Sequence, residues 1–149
     1  MEENLLKEPI LELDRILQLI PQKPPFVMVD SLLEYNEKKG TTGFTIPADN
    51  ILVENDIFSE PGLIEHMAQS MSLWRGYQGF LSGLEKPKTG FIGAIKAVEI
   101  MELPKVGSKL TTYVEILQEF MNVTSVGART FDEDGSLLAT SEMKTVTVD

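Results

Sequence analysis

The sequence predicts an α+β domain in which one antiparallel sheet wraps around one long, buried helix. Residues 61–80 form the longest apolar-rich stretch without an internal proline, and their apolar side chains recur every three or four positions, as on a helix. From residue 90 onward, apolar and polar residues alternate between turn signals, which is typical of consecutive strands. A helix followed by a block of strands favours the α+β class over an alternating α/β fold.

The chain length agrees with a single unit of this kind. The 149 residues suit one domain with its own core, and no internal repeat or second domain is visible. We therefore expect one domain over residues 1–149, in which the polar, acidic residues 1–9 are flexible.

The composition excludes several classes of function. A net charge of -10 argues against nucleic acid as a partner. The absence of cysteine excludes a disulfide framework and a thiolate nucleophile, and one histidine is too few for a histidine-rich zinc site. No apolar run is long enough to cross a bilayer, and the N-terminus lacks a signal-peptide pattern. We expect a cytoplasmic protein without a membrane span or a bound metal.

The residues before the long helix predict a short helix and two strands. Residues 10–20 have helical apolar spacing that Pro21 ends. Residues 26–34 begin with a continuous apolar run, which predicts a strand buried on both faces, and residues 41–46 alternate as a returning strand. We expect residues 47–60 to form a polar loop with a few buried anchors.

The residues after the long helix predict a linker and four strands. The linker is residues 82–88, which contain glycine and proline. Four predicted strands follow the linker, and the Asp-Glu-Asp-Gly turn joins the last two. The predicted strands are residues 91–100, 109–120, 121–131 and 137–148.

The long helix contains the residues with the most chemical interest. Glu65 is flanked by apolar residues near its start, where a carboxylate is costly to bury unless it is paired or has a function; the alternative is a helix-start carboxylate favoured by the macrodipole. His66 follows directly, and neighbours on a helix point about 100° apart. The two side chains therefore cannot share one substrate atom without a partner subunit, and His66 is either catalytic or a core or interface histidine. For Met67, Met71 and Trp74 we expect core packing.

Several segments, in order, resemble the hotdog-fold 3-hydroxyacyl-[acyl-carrier-protein] dehydratases. The segments are LIPQKPPFVMVDSLLEY (residues 19–35), PGLIEHMAQS (61–70), GFIGAIKAVEI (90–100) and GSLLATSEMKTV (135–146). The resemblance covers nearly the whole chain from residue 10. It implies a sheet curled around one helix, and at least a dimer in which two sheets join edge to edge.

The resemblance also implies roles for individual residues. Glu65 matches the acid that serves the departing hydroxyl, and the amide of Gly62 matches the donor to the thioester carbonyl. Gln69 stands where the family also has Gln, one turn after Glu65, in reach of its carboxylate. The family's catalytic His has no counterpart, because Ile57 occupies its position if Phe58 is aligned with the Phe that follows it. The alternatives in this loop, candidates by residue type only, are Glu54, Asp56 and Glu60. Ile57, Phe58 and Gln69 are thus the expected substrate-binding residues, and the reaction implies no cofactor.

Three functions are compatible with these residues. The first is a 3-hydroxyacyl-[acyl-carrier-protein] dehydratase-like protein that acts on or binds acyl thioesters in fatty-acid or specialised lipid and polyene biosynthesis. The second is a hotdog thioesterase that uses Glu65 as base or nucleophile. The third is a non-catalytic acyl-binding or stabilising subunit that lost its base and pairs with a complete dehydratase. Separately, if two different chains pair across the dimer, the partner would supply the missing His.

A local excess of basic residues bears on the partner. Arg75, Lys86, Lys88 and Lys96 are opposed between residues 75 and 96 by Glu85 alone. Such a patch favours encounter with an acidic acyl carrier protein; the alternative is an ordinary solvated surface.

Overall fold

A computed structural model of the chain describes residues 3–83 and 89–148. Within these ranges the chain forms two helices and eight strands, in the order that the sequence predicts for its main elements. The helices are α1 (Leu13–Leu19) and α2 (Glu60–Leu81). The strands are β1 (Ser31–Tyr35), β2 (Lys39–Thr45), β3 (Val53–Glu54), β4 (Ile57–Phe58), β5 (Thr89–Ile100), β6 (Lys109–Phe120), β7 (Val123–Phe131) and β8 (Leu137–Val148).

Six of the strands form one antiparallel sheet around α2. Their order is β1-β2-β6-β7-β8-β5, and every neighbouring pair is antiparallel. The helix packs on one face of this sheet, so the α+β class and the expected hotdog arrangement are confirmed. The predicted bounds of the strands at residues 109–120 and 137–148 match β6 and β8.

Helix α2 begins at a side-chain cap and ends one residue beyond the predicted stretch of apolar periodicity. Ser59 has extended backbone angles, and its hydroxyl accepts a hydrogen bond from the Gly62 amide, as an N-cap residue does. Pro61 lies in the first turn, where its missing N–H costs nothing. At the other end, the Ser82 amide donates to the carbonyls of Gln78 and Gly79.

The apolar side of α2 forms the core with the sheet. Leu63, Met67, Met71 and Trp74 are all at most 4% exposed, which confirms the predicted core packing of the last three. Each such side chain contributes about 1.5–3 kcal/mol by burial. Trp74 also donates its indole N–H to the Asn36 carbonyl at 2.9 Å, so its polar atom is satisfied.

The N-terminal elements are shorter than the sequence predicts. Helix α1 begins at Leu13 rather than at residue 10, because Ile10 pairs with Leu32 through two backbone hydrogen bonds of 2.8 and 3.0 Å. The predicted strand at residues 26–34 begins only at Ser31. Asp30 already donates its amide to the Gly43 carbonyl of β2 at 3.0 Å, but the peptide of Met28 is hydrogen-bonded by side chains of α2 instead of by a strand.

The predicted polar loop at residues 47–60 contains a small hairpin. Strands β3 and β4 are joined by Asn55 and Asp56, whose φ angles are 52° and 63°, as a type I′ turn requires. The Phe58 amide then donates to the Pro104 carbonyl at 2.8 Å, which fixes the hairpin to the loop before β6. In the predicted linker, residues 84–88 lie outside the described residues.

The two edges of the six-stranded sheet differ. The outer edge of β1 is covered, because Ile10 pairs with Leu32 and the Leu5 amide donates to Tyr35 at 2.7 Å. Strand β5 forms the other edge, and among residues 3–83 and 89–148 no strand pairs with its outer side. A twelve-residue edge strand of this kind is a template for pairing with another chain.

Candidate active site

Glu65 lies in the second turn of α2 and is held by the helix itself. Its side chain is partly buried, and Oε2 accepts a hydrogen bond of 2.9 Å from Nε2 of Gln69. This bond spans one turn, as the spacing of the two residues predicts. No described residue is recorded as a hydrogen-bond partner of the other carboxylate oxygen, Oε1, which leaves it available for a substrate.

Gln69 is fully buried and connects Glu65 to the chain segment before β1. Nε2 donates to the Phe26 carbonyl at 2.7 Å, and Oε1 accepts from the Met28 amide at 2.6 Å. With the bond to Glu65, these contacts leave no room for a flipped amide, because the Met28 N–H can only donate and the Phe26 carbonyl can only accept. Both polar atoms of the Gln69 side chain are thus engaged within the chain, and Gln69 orients the Glu65 carboxylate.

His66 is a fully buried histidine with both ring nitrogens engaged. Nδ1 lies 2.6 Å from the Met28 carbonyl oxygen and Nε2 lies 2.7 Å from Oγ1 of Thr112. Burial lowers the pKa of His66 to about 4, against a smaller opposing effect of the Met28 hydrogen bond. The imidazole is thus neutral near pH 7 and has no free nitrogen for a substrate, so direct catalysis by His66 does not fit this arrangement.

The Gly62 amide and the residues before α2 form the start of the site. The amide donates to the Ser59 hydroxyl over 3.4 Å, a long bond that a better acceptor can replace. A side chain at position 62 would place its Cβ 2.5 Å from the Phe58 ring, so only glycine fits this packing. Phe58 itself is fully buried and its ring packs against Gly62, whereas Ile57 is partly exposed. Of the three expected substrate contacts, which are Ile57, Phe58 and Gln69, only Ile57 has accessible surface.

A cavity of ≈ 570 Å³ lies on the other face of the sheet and is separate from this site. It is lined by Tyr113, Glu115 and Arg129 among others, and Glu65 and Gly62 are not part of it. These side chains alternate with inward-facing residues such as Thr112. Glu65 and Gly62 lie about one turn apart near the start of α2, so this cavity is not part of the candidate site.

Only part of the predicted basic patch is available to a partner, because Arg75 is engaged within the chain. Arg75 donates to Gln78 at 2.9 Å and to Thr124 at 2.8 Å, and its guanidinium lies 3.5 Å from the Glu119 carboxylate. Its charge is thus compensated within the chain, and this part of the prediction does not fit. Lys96 is exposed, while Lys86 and Lys88 lie outside the described residues.

The described residues form neither a metal-ligand cluster nor a candidate membrane span. No group of three or more histidine, cysteine, aspartate or glutamate side chains in residues 3–83 and 89–148 is arranged to hold a metal ion. In the same part of the chain, no helix has the length and apolar character that crossing a bilayer requires.

Part of the site's framework is not evident from the helix motif. Thr112 and Thr130 are fully buried and joined by a 2.7 Å hydrogen bond between their hydroxyls. The available signal is that Thr112 occupies an inward position between Leu110 and Val114, where the alternation predicts an apolar residue. A polar side chain at such a position needs a buried partner, and here that partner is His66.

Comparison with known proteins agrees with this framework. The family model described as ApeP-like, ApeP dehydratase, matches residues 14–149. The chain is 28% identical over 148 residues to the 3-hydroxyacyl-[acyl-carrier-protein] dehydratase FabZ of Helicobacter acinonychis (strain Sheeba), covering 89% of this chain and 88% of that protein. It is 29% identical over 143 residues to FabZ of Clostridium botulinum (strain Okra / Type B1), covering 91% and 95%.

Solved structures share the fold. The dehydratase heterocomplex ApeI:P from Xenorhabdus doucetiae contains a chain with a TM-score of 0.81 and 18% identity, covering 90% of this chain and 91% of that one. The PaaI protein of the E. coli phenylacetic acid degradation operon gives a TM-score of 0.63 at 11% identity, with coverages of 77% and 80%. Likeness at these identities concerns the fold alone. The family model, in contrast, spans nearly the whole sequence, and the chain therefore belongs to the ApeP-like dehydratase family.

Proposed function

We propose that the protein takes part in the dehydration of 3-hydroxyacyl thioesters carried by an acyl carrier protein, with Glu65 as the acid or acid/base. The observation that carries this proposal is the fixed orientation of the Glu65 carboxylate. Its Oε2 accepts a hydrogen bond from Gln69 close to the start of α2. The similarity to dehydratases named for acyl-carrier-protein substrates supports this substrate class. Such a substrate, together with the lack of cysteine, favours a cytoplasmic location.

The reaction needs three groups, of which this chain supplies two. A base removes the proton next to the thioester carbonyl, and the electron pair forms the double bond as the carbon–oxygen bond to the hydroxyl breaks. Glu65 in its acid form protonates the departing hydroxyl, which leaves as water. The Gly62 amide, at the positive end of the helix dipole, donates to the thioester oxygen as enolate charge develops.

We assign the base to a second subunit. Position 57 is isoleucine and the chain's one histidine is His66, whose ring is buried with both nitrogens engaged. The open edge of β5 offers a place for another hotdog subunit. Ile95 supports this assignment. It is the cross-strand partner of the fully buried Met143, so both side chains lie on the face of the sheet that packs on the helix. Ile95 is nevertheless 49% exposed. The likeness to a chain of a dehydratase heterocomplex is compatible with either an identical or a different partner.

Mass spectrometry of the acyl carrier protein tests the reaction. We expect the wild-type protein, alone or with its partner subunit, to interconvert 3-hydroxyacyl and enoyl thioesters. Glu65→Gln should lower this rate by roughly 10²–10⁴-fold, the usual contribution of a positioned acid or base. Glu60→Gln is the matched control, because Glu60 is an exposed carboxylate in the first turn of the same helix, and it should retain the wild-type rate.

The same spectra separate the other functions. Release of free acid that depends on Glu65 would indicate a thioesterase. If Glu65→Gln were as active as the wild type in complex with a complete dehydratase, the proposed role of Glu65 would be wrong and the chain would be a binding subunit.

A further inference from the structure

We propose that His66 is a positioning residue whose imidazole fixes the Met28 peptide and, through Gln69, the orientation of the Glu65 carboxylate. The inference rests on the proposed function in one respect, namely that Glu65 transfers the proton. It gives the buried histidine a role that requires no contact with the substrate.

The Met28 peptide is held from both sides by α2. Its N–H donates to Oε1 of Gln69 at 2.6 Å, and its carbonyl oxygen lies 2.6 Å from Nδ1 of His66. Met28 is fully buried and lies outside any strand, so these two side chains replace the ladder hydrogen bonds that a strand would provide. Loss of either bond leaves a buried peptide group without its hydrogen-bond partner, which is strongly unfavourable.

The direction of each proton in this network follows from its chemistry. A carbonyl only accepts, so Nδ1 of His66 carries the proton and donates to Met28. In the neutral ring Nε2 is then an acceptor, and the Thr112 hydroxyl donates to it across 2.7 Å. Thr112 in turn accepts from the Thr130 hydroxyl at 2.7 Å. Two strands of the sheet thereby select the tautomer that binds Met28.

The remaining step leads from Met28 to Glu65. Because Oε1 of Gln69 is committed to the Met28 amide, Nε2 must point to Phe26 and to Glu65, at 2.7 and 2.9 Å. Rotation of the Met28 peptide would therefore turn the Gln69 amide and move Oε2 of Glu65 with it. The Phe44 ring stacks on the imidazole at 5.8 Å and 19°, which restricts the ring to one plane.

Three substitutions at position 66 separate positioning from packing. His66→Asn keeps an amide N–H near the position of Nδ1 and the bond to Met28. His66→Gln reaches the position of Nε2 and keeps only the bond to Thr112, while His66→Leu keeps neither. We expect kcat for dehydration to fall roughly 10- to 100-fold in the Gln and Leu variants with KM within a factor of about three, since displacement of a catalytic group by about 1 Å has this effect. The Asn variant should retain kcat within about threefold.

Comparing kcat with the melting temperature of each variant distinguishes a positioning role of His66 from a packing role. If kcat follows the melting temperature across the three variants, with no advantage of Asn over Gln, His66 only packs the core and the proposal is wrong. A folded Leu variant with wild-type kcat would overturn it equally.

A second measurement does not depend on activity or on any variant. Nitrogen-15 NMR of the wild-type imidazole should show the proton on Nδ1 and none on Nε2 at pH 7, together with slowly exchanging side-chain amide protons of Gln69. A proton on Nε2, or rapid exchange of the Gln69 amide, would contradict the network. If the wild-type protein and its complex dehydrate no thioester, the proposed function fails while this measurement still decides whether His66 holds Met28 and Gln69 in place.

Discussion

Burial lowers the pKa of His66 to about 4 from the ordinary value of 6.5, and this one side chain makes the stability of the fold depend on pH. Because the folded pKa lies below the unfolded one, the unfolded chain binds more protons between these values. The contribution of the neutral ring is therefore complete above pH 6.5 and is lost as the pH falls toward 4.

We predict that the wild-type free energy of unfolding falls more steeply than that of His66→Asn between pH 7.5 and 4.5. Each unit of pKa is worth about 1.4 kcal/mol, so the extra loss is on the order of 2–3 kcal/mol. Denaturant unfolding of both proteins at the two pH values measures it. The carboxylates common to both variants cancel in the comparison, and parallel curves would show that His66 is not the titrating group.

The close contact between Gly62 and the Phe58 ring leaves no space for a side chain at position 62. A Cβ at position 62 would lie 2.5 Å from a fully buried ring, so Gly62→Ala should destabilise the protein by about 1–3 kcal/mol through overpacking, despite the better helix propensity of alanine. Thermal unfolding measures the effect. Adding Phe58→Leu should recover part of the loss that Gly62→Ala causes, whereas simple additivity of the two substitutions would exclude this contact as the cause.

The elements differ in how well the sequence predicts them. Strands β6 and β8 follow from their own alternation and from the turns that bound them, and α2 follows from its apolar spacing. The apolar run at residues 26–29 was wrongly predicted as strand, because the same pattern suits a segment packed on a helix and only the distant His66 and Gln69 decide between the two. The bond between Gln69 and Glu65 was predictable from one-turn spacing, but its extension to Met28 was not.

The turn of the β3–β4 hairpin holds two non-glycine residues in a strained backbone conformation, and a substitution to glycine can relieve this strain. Its turn places Asn55 and Asp56 at φ angles of 52° and 63°, a region that glycine adopts without steric cost. Asp56→Gly should therefore raise the free energy of unfolding by about 0.5–1 kcal/mol. Asp49→Gly is the control, since Asp49 is also an exposed turn residue but is not among the described residues with positive φ. Equal effects of the two substitutions would contradict a type I′ turn as the cause.

At the scale of the whole molecule, the unequal edges of the sheet indicate where the proposed second subunit would bind. The covered edge of β1 cannot accept another strand, whereas β5 combines an unpaired outer side in the described part of the chain with the half-exposed Ile95 on the side that faces the helix. Apolar surface in this position is otherwise left in water, which favours pairing of β5 with a partner strand.

We predict that Ile95→Lys weakens this association at least about tenfold, because an Ile side chain contributes about 1.5–3 kcal/mol when fully buried and a lysine at the contact must also be desolvated. Analytical ultracentrifugation of the chain, alone and with its partner subunit, measures the change. Leu13→Lys is the matched control, since Leu13 is 47% exposed on α1, away from β5, and should leave association unchanged. Dehydration should fall together with association in the Ile95 variant, because the base of the second subunit then no longer reaches a substrate bound at Glu65. An Ile95 variant that associates like the wild type would exclude the β5 edge as the interface and would require another source for the base.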